Sequence, residues 1–133
     1  MQNSHVDAYF RALAGKDKAG IGQHFTQDIV LLGPIYAEAI EGRDAVVAIL
    51  SGFVDTIDHL EVELTMSSGQ DVAVFFGFSR DGITVKGNER LHVTEEGLID
   101  AIEVAWRPLP AAVQIQEIFA AKMGFPAMHL TSE

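Results

Sequence analysis

Residues 82–106, GITVKGNERLHVTEEGLIDAIEVAW, decide how the rest of the chain folds. From Ile83 to Val93 the side chains alternate in character, the period of an extended strand. Val85, Gly87, Glu89, Leu91 and Val93 share one face, and Thr84, Lys86, Asn88, Arg90, His92 and Thr94 share the other. The first face is apolar except for one carboxylate, while the second is uniformly polar. Thr94-Glu95-Glu96-Gly97 reads as a turn, with Gly97 free to take positive φ. Beyond it Leu98, Ile102, Val104 and Trp106 line up on one side of a second strand, interrupted by Asp100 near the turn. Burying an unpaired carboxylate is expensive, so an inward Glu89 demands a reason.

Upstream, the pattern places Leu60, Val62, Leu64 and Met66 inward on one strand, with His59, Glu61, Glu63 and Thr65 outward. Gly69-Gln70 turns the chain into residues 72–78, which are apolar on both faces and read as a central strand. Earlier still, Gly42 leads into a helix over residues 43–57, with Val46, Val47, Leu50, Phe53, Val54 and Ile57 on its apolar side. Residues 28–33 read as a short buried strand stopped by Gly33-Pro34, with residues 35–40 pairing against it. A weak helix is expected over residues 17–25, since Gly20 and Gly22 lower its propensity. The first helix runs over residues 4–13 with Ser4 as its cap, Gly15 after its end, and a stripe of Val6, Tyr9, Phe10 and Leu13. Downstream, Pro108 and Pro110 stop the sheet. An amphipathic helix is then expected over residues 111–123, followed by a short tail to Glu133.

With 133 residues, nearly half of them hydrophobic, the chain reads as one ordered domain over residues 1–133. Nine basic residues against 19 acidic give a net charge of −10, which argues against nucleic acid or an anionic membrane as partner. Without cysteine there are no disulfides, thiolate metal sites or thiol nucleophiles. Residues 1–7 (MQNSHVD) lack signal-peptide character, and no apolar run approaches the ~18 residues of a membrane helix, so a soluble cytoplasmic protein is expected. The five histidines show no metal-ligand spacing, and no metal or other cofactor is expected. Ser51, Ser67 and Ser68 have no nucleophile-elbow context, and single glycines do not make a phosphate loop.

Helices followed by long antiparallel strands make an α+β domain. Its curved, mixed but mainly antiparallel sheet is expected to wrap the helices as a cone with an open mouth. This order, with Gly42 before the long helix and a final Glu-Glu-Gly-Leu-Ile hairpin ending in an aromatic residue, resembles the nuclear transport factor 2-like superfamily. Within it the SnoaL-like and ketosteroid isomerase-like branches are nearest, over residues 4–107. The resemblance implies a tyrosine and a protonated acid that hold a substrate oxyanion, and matches them to Tyr9 and Glu89. It matches Trp106 to an aromatic of the ligand pocket. Leu91, Val104, Phe53 and Leu64 are the apolar residues expected to line that pocket, together with Tyr36 and His24.

Two departures accompany the match. The family's general base is an aspartate before a proline, whereas Gly33 precedes Pro34 here, and glycine cannot abstract a proton. The acid that SnoaL-type cyclases carry on the last strand is replaced by Val104 and Trp106. Tyr36 and Glu38 follow Gly33-Pro34, where a substituted base could lie. His24 is either a cavity base or a helix-terminal histidine facing the dipole. Three readings result. The first is an isomerase or cyclase/lyase of the SnoaL-like type acting on an apolar carbonyl- or enol-type compound, its general base unidentified. The second is a module that binds a small apolar or aromatic ligand without chemistry, and the third a homodimerisation domain that uses the polar outer sheet face.

Overall fold

A computed structural model describes residues 3–131; Met1, Gln2 and the last two residues of the tail, Ser132 and Glu133, lie outside the described residues. The elements are α1 (Ser4–Ala14), α2 (Lys18–Ile21), a 3-10 turn (Gly22–His24), β1 (Phe25–Leu32), β2 (Ile40–Glu41), α3 (Arg43–Thr56), β3 (His59–Ser68), β4 (Asp71–Arg80), β5 (Ile83–Val93), β6 (Ile99–Arg107) and α4 (Leu109–Met123). The strands form one curved sheet in the order β2-β1-β6-β5-β4-β3. Neighbours are antiparallel except β1 and β6, which run parallel. The expected α+β cone is the fold the chain adopts.

The first strand of the deciding hairpin forms as read. Val85, Gly87, Glu89, Leu91 and Val93 are buried while Thr84, Lys86, Asn88 and Arg90 are exposed, and Gly97 takes φ 87° in the turn. Inner residues of β4 and β5 pack against Val6, Tyr9 and Leu13 of α1, Val46, Leu50 and Val54 of α3, and Ile115 of α4. The helices cover this one face, so the interior of the cone is where side chains meet. Among the described residues no helix is long and apolar enough to cross a membrane.

Several local expectations are corrected. Asn3, not Ser4, caps α1: its side chain accepts from the Val6 N–H at 2.9 Å. The second helix gives out after one turn and β1 begins at Phe25, earlier than read, since two glycines and the β-formers that follow disfavour more helix. Only Ile40 and Glu41 of the following segment pair with β1. Pro108 and Pro110 sit at the start of α4, which therefore begins at Leu109.

The largest correction is on β3. A bulge between Val62 and Leu64 changes the pairing from Val62↔Phe76 to Leu64↔Phe75, which moves every later side chain to the other face. Leu64, read as inward, is half exposed on the outside with Met66 and Phe75. β3 is the sheet's edge and β4 is second from it, so β4 is not central. A second irregularity, between His92 and Val93, pairs Ile99 rather than Asp100 with Val93 and brings Asp100 to the His92 Nδ1 at 2.7 Å, away from the face of Trp106.

Candidate active site

Strand parity turns Glu89 inward, between Val74 of β4 and Val104 of β6 in the ladder, where it is 5% exposed. Helical periodicity brings Tyr9 to the same place from the buried face of α1. Its ring packs on Phe10 and Phe25 with centroids 4.9 and 5.4 Å away. The Tyr9 hydroxyl donates to Glu89 Oε1 at 3.3 Å, and Tyr9 itself is fully buried. Removal from water disfavours the charged carboxylate and pushes the Glu89 pKa from 4.5 to about 8, with the Tyr9 hydrogen bond pulling more weakly the other way. Burial, and then the neighbouring Glu89, lift the Tyr9 hydroxyl well above its ordinary value. Glu89 is therefore mostly a neutral acid near pH 7.

The Glu89 carboxyl lines a cavity of about 110 Å³. α3 contributes Ile49, Leu50 and Phe53; β6 contributes Val104 and Trp106; the stretch between β1 and β2 contributes Gly33, Pro34, Ile35, Tyr36 and Glu38; α4 and the tail contribute Gln116, Phe119 and Phe125. The rings of Phe53, Phe78 and Trp106 pack on one another at 5.0–5.7 Å. Gly87 leaves the space these aromatics need, since a Cβ there would stand 2.7 Å from the Phe76 ring and 3.2 Å from Trp106 Cδ1. Five of the residues expected at the site thus meet at one cavity: Glu89, Trp106, Val104, Phe53 and Tyr36.

The others do not. Tyr9 sits behind Glu89 and reaches the cavity only through it. Leu91, two residues along β5 from Glu89, is packed into the core opposite Val72 and Ile102 and lines no part of the space. Leu64 is excluded by the β3 bulge. His24 lies apart from the cavity, with its Nδ1 3.1 Å from that of His5. Its pKa is lowered by burial, then by His5 and Arg11. Among the described residues no group of three or more acidic or histidine side chains is placed to hold a metal ion.

Sequence reasoning missed Gln116, a buried polar residue on the cavity wall. Its spacing with Val113 and Ala120 on the buried stripe of α4 is the signal that points to it. Tyr36 OH is 2.9 Å from Gln116 Oε1 and 2.6 Å from the Pro126 carbonyl, and the Gln116 amide bonds the backbone of Met128. These contacts hold the tail across the cavity. A Cβ built on Gly33 meets nothing within 4 Å, so the position has room for a side chain and carries none.

Comparison with known proteins gives the following. The family profile of the SnoaL-like domain matches residues 6–102. Among curated proteins nothing matches. A protein with a cystatin-like fold from Silicibacter pomeroyi DSS-3 superposes with a TM-score of 0.87 at 22% identity, covering 92% of this chain and 87% of that one. A steroid delta-isomerase from Pseudomonas aeruginosa gives 0.84 at 19% identity, covering 91% and 90%. An epoxide hydrolase/cyclase-like enzyme in pyran ring formation in the polyether salinomycin gives 0.67 at 24% identity, covering 77% and 88%. At such identities the likeness is one of fold, and fold alone does not carry an activity.

Proposed function

The chain belongs to the SnoaL-like domain family, and on that premise we propose that it is a small-molecule enzyme acting on an apolar carbonyl- or enol-type compound. The observation that carries the reading is Glu89, a carboxyl with a pKa of about 8 on the wall of an otherwise largely apolar cavity. With Oε1 accepting from Tyr9, a proton on Oε2 is the donor offered to a ligand oxygen. As negative charge grows on that oxygen in a transition state, the hydrogen bond strengthens, most of all where water is excluded. Removing one such donor typically costs on the order of 3–4 kcal/mol of transition-state stabilisation. Tyr9 is a positioning residue in this scheme, because it fixes the carboxyl without touching the ligand. The family's paired oxyanion donors are thereby reduced to one donor and its support.

A second reading, a binding module of the same fold without chemistry, is favoured by Gly33, which leaves the family's base position without a proton acceptor. Both readings include a cytoplasmic setting and a homodimer through the outer sheet face.

Binding of single-ring phenols, followed by the fluorescence of the single tryptophan, Trp106, tests the reading of Glu89. Glu89→Leu should weaken binding about tenfold, the worth of a hydrogen bond to a strong acceptor. Glu89→Gln, which keeps a donor for the ligand and an acceptor for Tyr9, should bind nearly as wild type does. Unchanged binding by Glu89→Leu removes the reading.

A further inference from the structure

Most of the cavity wall is helix or strand. Among the described residues that line it, those outside any such element are residues 33–36 and Glu38, between β1 and β2, and Phe125, just past α4. The tail leaves α4 at Gly124, whose φ of 81° and N–H, bonded to the Ala120 carbonyl at 2.8 Å, turn the chain back. A Cβ there would meet nothing within 4 Å, so glycine serves the backbone conformation and not the packing. Phe125 then packs edge-on against Tyr36 and Phe119, with centroids 5.6 and 5.5 Å away, and all three rings line the cavity. Beyond it residues 126–131 form no helix or strand, and Met128 and Leu130 are 47% and 53% exposed. Burial does little to hold this part of the tail.

Polar contacts hold it instead. Gln116, buried in α4, has every bonding position of its side-chain amide filled, three of the four by the tail and Tyr36. Its Nε2 donates to the carbonyls of Val113 and Met128, and its Oε1 accepts from the Met128 N–H at 3.2 Å and the Tyr36 hydroxyl at 2.9 Å. The single Tyr36 proton is shared with the Pro126 carbonyl at 2.6 Å, so one hydroxyl ties both irregular stretches of the wall to α4. Glu117, the next residue of α4, pairs with His129. We infer that residues 125–129 are the gate of this cavity, hinged at Gly124 and latched by Gln116 and Tyr36. A hydrogen-bonded latch suits a closure that must be undone: when the tail lifts, water takes over the freed partners, and the net worth of each hydrogen bond is small. The gate therefore opens locally, without the core unfolding. Phe125 moves out with the tail and clears the aromatic cover beside Tyr36 and Phe119, so that a ligand can enter or leave. The inference goes beyond the proposed function and does not depend on what Glu89 does to a ligand.

The chain has no cysteine, so a single introduced thiol reports on one place. Val104→Cys puts it on the cavity wall, and Val85→Cys puts it on the inner face of β5, fully buried and away from the cavity. Reaction with methyl methanethiosulfonate, followed by mass spectrometry, needs no ligand. The thiol at position 104 should react much more slowly in the folded chain than in the same chain unfolded in urea. Tyr36→Phe keeps the ring and removes the latch hydroxyl. It should speed the reaction at position 104 about fivefold, the worth of one hydrogen bond in the population of the open gate, and leave position 85 unchanged. Gly124→Ala, which has room for its methyl group but not the φ, should act in the same direction, and a rate equal to wild type would overturn the hinge. The gate itself is overturned if position 104 reacts as fast in the folded chain as in the unfolded one, or if Tyr36→Phe leaves its rate unaltered. Equal acceleration at positions 104 and 85 overturns it too, since that is a loosening of the whole fold. Phenol binding that ignores Glu89 would strike the proposed function and leave the gate standing.

Discussion

With its pKa lifted to about 8 against an ordinary 4.5, Glu89 holds a proton in the folded chain over a range of pH in which the unfolded chain has released it. Its contribution to stability is therefore fully present below the lower value and falls as pH rises toward the upper one, at up to about 1.4 kcal/mol per pH unit. Glu89→Gln stays neutral and keeps an acceptor for Tyr9, so it should be the more stable form at pH 8.5 and lose most of that advantage near pH 5. Urea unfolding of both proteins at the two pH values measures the difference, and parallel stability profiles would contradict a buried, protonated Glu89. Because the Tyr9 hydrogen bond is what restrains the rise, Tyr9→Phe should push the Glu89 pKa higher still. The midpoint of the stability change should then move to more alkaline pH, and a downward movement would count against the contact.

At the scale of the element, the inner face of β5 leaves little latitude. Gly87→Ala would put a methyl group 2.7 Å from the Phe76 ring and 3.2 Å from Trp106, and neither ring can give way without moving the cavity wall. A loss of about 1–3 kcal/mol is expected, with a changed Trp106 emission. Wild-type stability with unaltered fluorescence would mean the packing is looser than described. β5 was readable in the sequence because its alternation runs unbroken for eleven residues and a single register against β4 holds from Ile83 to His92. β3 carries the same alternation, yet one extra residue at its bulge sends Leu64 and Met66 outside, and no signal in the pattern marks where an edge strand bulges. Tyr9 and Glu89 could be paired by parity, helical period and resemblance together. That Tyr9 stands behind Glu89 depends on the depth of α1 in the cone, which periodicity does not encode. α4 was legible as a helix, but an apolar stripe does not say which surface it will cover, so Gln116, Phe119 and Phe125 stayed hidden as parts of the site.

For the whole molecule the outer sheet face matters most. It carries Leu64, Met66 and Phe75 between the ion pairs Lys86–Glu63 and Arg90–Asp71. Exposed pairs contribute little energy, but they leave this face close to neutral in a chain of net charge −10. Two copies repel at a distance and lose that repulsion as salt screens it. The proposed homodimer should therefore tighten as ionic strength rises, and Phe75→Glu should break it. Light scattering at tens of micromolar, with and without added salt, is the measurement. A monomer under every condition would remove the dimer.

The parallel pairing of β1 with β6 also sets an order of events during synthesis. Apart from the two residues of β2, β1 has no sheet neighbour until β6, which begins at Ile99, has left the ribosome. The ladder between β1 and β6 closes a long loop, which must form before its contacts give any return. A nascent chain stalled with only residues 1–98 exposed should leave β1 open to protease, and protection of β1 at that length would show that some other partner serves in the interim. Whatever chaperoning the chain receives would then bear mostly on β1, a segment made early and paired last.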